Sequence, residues 1–279
     1  NLLTHLSREK KLSSRKTGKE QYYTLPEVAD LCVSIASKYW EGLDIIEPAG
    51  GTGEFIKAIE RAGKDVKFSF DIEPKHPNVI EQNFLETSLF EYYISEQSMF
   101  LSNPPFGRAN SLAVKFFNHI AGTYSSRYIC FLIPKAWRKW SVQDKLNEFY
   151  HLTEDVEMPE VSFYNDDGPI EGGNLATLFQ VWEKRDTPRK KWDVEDKGYL
   201  TNSTPEDADV AITFFGHSSG RIETEFERVP NTTKRYFKAS PEVIEGLKVV
   251  DYSRFNENVS YIKALSKKEI NFLLDEYFS

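Results

Sequence analysis

The stretch Met99-Phe100-Leu101-Ser102-Asn103-Pro104-Pro105-Phe106-Gly107 joins an apolar run to an amide, two prolines and an aromatic ring. Residues 99–101 read as the end of a buried strand. A strand interior does not accommodate Pro-Pro, because proline lacks the N–H that a ladder needs, so the chain must leave the sheet at Asn103. Asn103 and Phe106 then stand at the carboxyl edge of a sheet, where open α/β folds bind ligands. The prolines stiffen the loop. A stiff loop holding an amide beside a ring suits the grip of a flat molecule that carries an amino group. Taken alone, the same residues also suit a plain turn with Phe106 plugging the core.

Upstream, Pro48-Ala49-Gly50-Gly51-Thr52-Gly53-Glu54-Phe55 lies between a short apolar strand over 43–47 and a helix running to about residue 62. Three glycines in four positions let a ligand approach the backbone and leave the helix N-terminal amides free. No Gly-Lys-Ser/Thr follows, which excludes a P-loop, and the dinucleotide fingerprint is absent. The segment reads as a cofactor loop. A strand over 66–71 ends in Asp71, about twenty residues further on, from where an acid reaches ribose hydroxyls in nucleoside-binding α/β folds. Earlier still, Gln21-Tyr22-Tyr23-Thr24-Leu25-Pro26-Glu27 leads into a helix predicted over 26–39, with Thr24 as its N-cap and Pro26 in its first turn.

Downstream, the pattern predicts a helix over 111–120 and a buried strand over 127–133. That strand ends in Pro134-Lys135-Ala136-Trp137-Arg138-Lys139-Trp140. Lys135, Trp137, Arg138 and Trp140 have two readings: stacking on bases with phosphate contact, or a partly buried tryptophan pair with solvated neighbours. Strands over 156–164 and 176–182 suggest a closing hairpin around a glycine-rich loop. Residues 185–200 are polar and read as a linker. Beyond it come strand-like pieces at 210–215, 221–228 and 235–238 and a terminal helix over 267–277. The expected organisation is a basic arm over 1–19, a catalytic domain over 20–185 and a smaller domain over 186–279.

Composition bounds the class. The chain has 279 residues, 40% hydrophobic and 28% charged, as in ordinary globular proteins. No apolar run approaches a membrane span and none reads as a signal peptide, so an intracellular, cytoplasmic protein is expected. Cys32 and Cys130 sit in apolar segments and read as reduced core residues. The five histidines show no metal-ligand spacing, so no metal is expected. The net charge of −8 is uneven: +3 over 1–40, −9 over 41–184 and −2 over 185–279. A weakly acidic protein of this kind still binds nucleic acid where it presents one basic face. The arm, with Arg8, Lys10, Lys11, Arg15, Lys16 and Lys19, is either solvated or a phosphate contact.

With these residues in hand, the chain resembles the N6-adenine DNA methyltransferases of restriction–modification systems and phages, in their gamma-class motif order. Asn103-Pro104-Pro105-Phe106 matches the catalytic motif. Glu47-Pro48-Ala49-Gly50-Gly51-Thr52-Gly53 is similar to the methionine-loop motif, with Glu47, Gly50 and Thr52 where Asp, Cys and Ser are usual. Residues 21–29 look like the motif that closes over the cofactor, and Leu178-Phe179-Gln180-Val181-Trp182 like a late sheet strand. The resemblance spans about residues 20–185 and implies a Rossmann-like α/β class I methyltransferase fold, with a mixed, mostly parallel sheet and a smaller carboxyl-terminal target-recognition domain. It also implies S-adenosyl-L-methionine as cofactor, leaving as S-adenosyl-L-homocysteine. Catalysis falls to Asn103, Pro104, Pro105 and Phe106. Cofactor binding falls to Tyr23, Thr24, Glu47, Ala49, Gly51, Gly53, Phe55, Asp71, Asn83 and Phe84, with Asn83 where an acid is usual. The expected partner is double-stranded DNA, the expected origin bacterial or phage, and the oligomeric state is open between monomer and dimer. An RNA adenine-N6 methyltransferase and a catalytically silent nucleic-acid-binding partner are the alternatives.

Overall fold

A computed structural model describes residues 22–165, 168–170, 175–257 and 262–279. The basic arm over 1–19, Gln21 and most of the glycine-rich loop, including Asp166, Asp167 and residues 171–174, lie outside them. The described residues fall into two units, one within Asn1–Ile133, Lys145–Gly173 and Thr177–Arg189, the other within Pro134–Asp144, Asn174–Ala176 and Lys190–Ser279.

The first unit holds β1 (Tyr23–Thr24), β2 (Asp44–Glu47), β3 (Val66–Asp71), β4 (Ile80–Glu81), β5 (Ser98–Ser102), β6 (Tyr128–Pro134), β7 (Tyr150–Glu157), β8 (Phe163–Asn165), β9 (Gly168–Pro169) and β10 (Thr177–Lys184). Seven of them form one sheet in the order β4-β3-β2-β5-β6-β10-β7. The pairs β3–β4, β2–β3, β2–β5 and β5–β6 are parallel, and β10–β7 is antiparallel. Parallel neighbours need crossovers. Helix α1 (Pro26–Ala36) leads into β2, α2 (Glu54–Arg61) crosses from β2 to β3, and α3 (Ser111–His119) crosses from β5 to β6. In α2 the buried residues are Phe55, Ile56, Ala58 and Ile59, an amphipathic stripe on one face. All five residues of β5 are buried, as expected of a parallel strand covered on both faces. The chain runs outward from β2 to β3 and β4, then returns to the other side of β2 with β5. The strand order therefore reverses between β2 and β5, and ligands bind outside the carboxyl ends of strands at such a point.

Three local readings change. Thr24 does not cap α1. Its backbone is taken by β1, which pairs with β8, and the N-cap is Leu25, held extended by the following Pro26. The helix proper stops at Ala36. The strand expected over 156–164 is split: β7 ends before Pro159, and β8 belongs to a separate sheet, β1-β8-β9. The closing hairpin is instead β7 with β10, from Leu178 opposite Glu157 to Lys184 opposite Tyr150.

The second unit has an antiparallel sheet ordered β11-β14-β12-β13, built from β11 (Thr201–Asn202), β12 (Val210–Thr213), β13 (Ile222–Glu223) and β14 (Lys234–Lys238). Its helices are α4 (Trp140–Gln143), α5 (Pro241–Val249), α6 (Ser253–Asn256) and α7 (Lys267–Phe278). Its core joins Val210, Ile212 and Phe237 of the sheet to Leu247, Ile270 and Leu274 of the helices. The strand expected over 221–228 stops at Glu223. Beyond it the Arg228 guanidinium bonds to the carbonyls of Pro205, Glu206 and Ala208 in place of a ladder. Ser266 and Glu269 form a reciprocal capping box that starts α7.

Candidate active site

The carboxyl ends of β2, β3 and β5 open into a cavity of about 570 Å³. Each end contributes a loop that the sequence singled out. After β2, the glycine loop turns back under the cavity. Gly53 has φ +79° and starts α2, and a Cβ there would stand 2.5 Å from the His76 ring. Gly50 is needed for a different reason: its Cβ would meet Ser69 Oγ at 2.3 Å and Val79 at 2.8 Å.

Asp71 closes this loop against the end of β3. One of its oxygens accepts the Gly51 N–H at 2.9 Å, and the other accepts the Glu73 N–H at 2.8 Å. The carboxylate therefore shapes the cavity wall as well as lining it, with lone pairs left for hydroxyl donors. Glu47 lies beneath, fully buried and off the cavity surface. One of its oxygens accepts both the Ser102 hydroxyl at 2.5 Å and the Ala49 N–H at 2.9 Å, linking β2 to β5 just below Asn103. Burial pushes this carboxyl up to about 8, against the lowering effect of those two donors. Asp71 adds to the rise.

A small sheet covers the loop. Tyr23 of β1 lies with its ring 3.6 Å from where a Gly51 Cβ would be, and the Lys75 ammonium sits 4.7 Å from the ring centre. Tyr164 of β8 reaches Thr52 Oγ1 at 3.1 Å and Glu54 Oε1 at 3.2 Å through its hydroxyl. The same Glu54 oxygen holds Lys57 at 2.9 Å.

Asn103 is the most informative group. Its amide Nδ2 donates to the Tyr22 carbonyl at 2.9 Å, which fixes the orientation of the side chain. Its Oδ1 is buried and has no hydrogen-bond partner among the described residues. An orphaned buried acceptor costs about 1–3 kcal/mol, so it stands out in a folded protein. Phe106 is 6% exposed. The Tyr22 ring lies near-parallel to it, with centroids 6.4 Å apart at 21°, and Phe163 meets it edge-on.

Tyr23, Thr24, Ala49, Gly51, Phe55 and Asp71 from the cofactor set all line the cavity, as do Asn103, Pro104, Pro105 and Phe106. Asn83 and Phe84 line it too, with qualifications. The Asn83 side chain caps the turn Phe84–Glu86, accepting from the Leu85 N–H and donating to Glu86. Phe84 is 1% exposed, packed among Phe70, Phe100, Phe116 and Tyr124. It therefore forms wall, with no free face for stacking. Gly53 shapes the loop from outside the lining.

The tryptophan cluster needs correction. Trp137 is completely buried and Trp140 is 6% exposed. Trp140 stacks on Trp192 at 4.1 Å and meets Phe255 and Phe272 edge-on, all within the second unit. These rings are core, so neither offers a face to a base. Lys139 is bound to Glu269 at 3.3 Å and to the Ala264 carbonyl. Lys135 and Arg138 remain partly exposed beside them.

Sequence reasoning passed over Ile72, Glu73 and Arg108, which also line the cavity; Tyr22 and Glu54 line it too and entered only as members of the quoted motifs. Ile72 is 60% exposed, an apolar side chain directly after the Asp71 that closes β3. That placement was its only signal. The charged lining is three carboxylates, Glu54, Asp71 and Glu73, and one cation, Arg108. Among the described residues no group of His, Cys, Asp or Glu is placed to hold a metal, and no helix is long and apolar enough to cross a membrane.

No family model and no curated protein sequence matches the chain. Solved structures do. One is a protein from Listeria monocytogenes described as a candidate class I S-adenosylmethionine-dependent methyltransferase, 14% identical, covering 59% of this chain and 60% of that one, TM-score 0.40. Another is the modification subunit of a candidate type I restriction enzyme from Vibrio vulnificus, 15% identical, covering 99% and 65%, TM-score 0.44. A third is a branched-chain polyamine synthase from Thermus thermophilus bound to 5′-methylthioadenosine, 14% identical, covering 69% and 66%, TM-score 0.46. The chain thus spans less than two thirds of the first two, and likeness at this level carries no argument about chemistry. Strand order, parallel pairing and the terminal antiparallel pair carry the fold: the first unit is an α/β Rossmann-like domain with a mixed, mostly parallel sheet.

Proposed function

We propose that this protein transfers a methyl group from S-adenosylmethionine to N6 of adenine in double-stranded DNA. The observation that carries this reading is the Asn103 side chain, which lines a cavity beside a glycine loop and is held by its own N–H, while its buried oxygen has no partner among the described residues. The residues present fit the cofactor: Gly50 and Gly51 line the cavity without side chains, Asp71 lines it at the end of β3, and its wall of carboxylates suits a cation. Bound there, S-adenosylmethionine supplies a methyl group on positively charged sulfur.

The chain's residues then act on the base. The exocyclic nitrogen of adenine is a poor nucleophile, because its lone pair is delocalised into the ring. Two acceptors aimed at its two N–H groups, Asn103 Oδ1 and the Pro104 carbonyl, hold that nitrogen nearer to tetrahedral geometry. Pro105 keeps the loop rigid, so the acceptors cost no reorganisation during transfer. The Phe106 ring, packed by Tyr22 and Phe163 but, unlike Trp140, part of the cavity lining, is the wall against which the base lies in this reading. Extracting the base from a duplex costs a few kcal/mol, offset by stacking worth about 1–3 kcal/mol. The second unit serves target recognition in this reading.

The test is label transfer from tritiated S-adenosylmethionine to unmethylated plasmid DNA and to transcribed RNA, side by side, followed by hydrolysis to nucleosides. Label in N6-methyldeoxyadenosine is expected. Label only in RNA moves the substrate to the alternative, and label in no adenine overturns the reading.

A further inference from the structure

Just past the Asn-Pro-Pro-Phe motif, the chain enters three positions with positive φ within four residues: Gly107 at 69°, Ala109 at 51° and Asn110 at 62°. Asparagine tolerates this region, but alanine does so only when its surroundings impose it. Hydrogen bonds hold the turn: Asn110 N–H to the Gly107 carbonyl at 3.2 Å, and Leu112 N–H to the Phe106 carbonyl at 3.1 Å. A Cβ on Gly107 would meet the Leu112 Cβ at 2.7 Å, so the turn is tightly packed against the start of α3. This strained, braced turn presents Arg108.

Arg108 is exposed, and it is the single cationic side chain that lines the cavity among the described residues. Its guanidinium has no carboxylate partner there, whereas Lys57, Lys139 and Arg127 each hold one. The cavity is therefore polar end to end. Glu54 starts α2 after β2, Asp71 ends β3 and Glu73 follows it, while Arg108 follows β5 on the other side of β2. A cationic ligand suits the first side, and an anion suits the second.

We propose that Arg108 binds the backbone phosphate of the target nucleotide, fixing the sugar–phosphate while Asn103 and Phe106 hold the base. The proposal rests on the nucleic-acid reading above. A planar guanidinium grips two phosphate oxygens at once, and the strained turn keeps it beside the base site when nothing is bound. Arg108 thereby contributes to substrate capture rather than to methyl transfer itself.

Arg108→Ala and Arg108→Lys test this in the full chain, with unmethylated plasmid DNA as substrate. Arg108→Ala is expected to raise KM for DNA about tenfold or more, and to reduce the slope of log KM against log salt by about one unit. S-adenosylmethionine affinity by calorimetry should not change. Arg108→Lys should restore the salt slope but only part of the KM, because it keeps the charge and loses the fork. An unchanged KM and slope in Arg108→Ala, with an active wild type, overturns the anchor and leaves the function standing. A wild type that methylates no nucleic acid overturns both.

Discussion

Asn103 separates catalysis from binding at the scale of one residue. In the proposed reaction its Oδ1, which has no partner among the described residues, bonds the adenine amino group and that bond strengthens as the nitrogen takes on positive charge. Asn103→Ala should keep the fold and the cofactor affinity and lower kcat about a hundredfold to a thousandfold. Near-normal turnover in stopped-time label assays would sink the adenine-N6 mechanism. Phe106 acts earlier and more broadly. Phe106→Ala should raise KM and lower kcat, whereas Phe106→Tyr should be tolerated because the ring face survives. Glu47 gives a pH prediction. Its carboxyl rises from an ordinary 4.5 to about 8 in the fold, chiefly through burial. The folded chain thus holds this proton where the unfolded chain has lost it, so Glu47 makes stability fall as pH rises between about 4.5 and about 8. Glu47→Gln should flatten that part of the profile in chemical denaturation, and an identical slope in both proteins would remove Glu47 as its source.

At the scale of elements, the site depends on two loops fastened to each other. The glycine loop is tied to the end of β3 through Asp71, to β5 through Glu47 and Ser102, and to β8 through Tyr164. Gly50→Ala should therefore act on both fold and site. Its methyl would press on Ser69 and Val79, which belong to the neighbouring strand and turn. Overpacking of this kind costs about 1–3 kcal/mol. Gly63→Ala is the comparison, because a Cβ there meets nothing within 4 Å and its cost comes from the positive φ of +82°, which Gly50 does not share. Gly50→Ala should lower both Tm and S-adenosylmethionine affinity, while Gly63→Ala lowers Tm alone. Equal cofactor affinity in the two variants would show that the close approach at Gly50 is only packing.

At the scale of the molecule, the second unit is not a contiguous appendage. Residues 134–144 belong to it, and Trp140 is packed there by Trp192, Phe255 and Phe272, with Lys139 held by Glu269. Removing residues 190–279 should strip those partners and leave the Trp140 ring without cover. The truncated chain should aggregate or melt at lower temperature, which size-exclusion chromatography and thermal scans will show. A soluble, active truncation that kept the same target sequence would remove recognition from the second unit. The local record in the sequence was strong where the chain leaves the sheet. The glycines after β2, Asp71 at the end of β3 and Asn103-Pro104-Pro105 after β5 each announce a strand end, because proline, glycine and acid act within one or two residues. Those ends placed the cavity at the carboxyl edge of a sheet, while the mostly parallel pairing was implied by the resemblance. The tertiary structure alone decided what covers each side chain. Trp140 has the same neighbours in sequence whether it stacks on a base or on Trp192, and packing by Trp192, Phe255 and Phe272, far along the chain, made it core. The same holds for Asn103: its place was legible, but the direction of its oxygen was set by the Tyr22 carbonyl, eighty-one residues away. Side-chain cover and hydrogen-bond direction are set by such distant partners, which a local pattern does not encode.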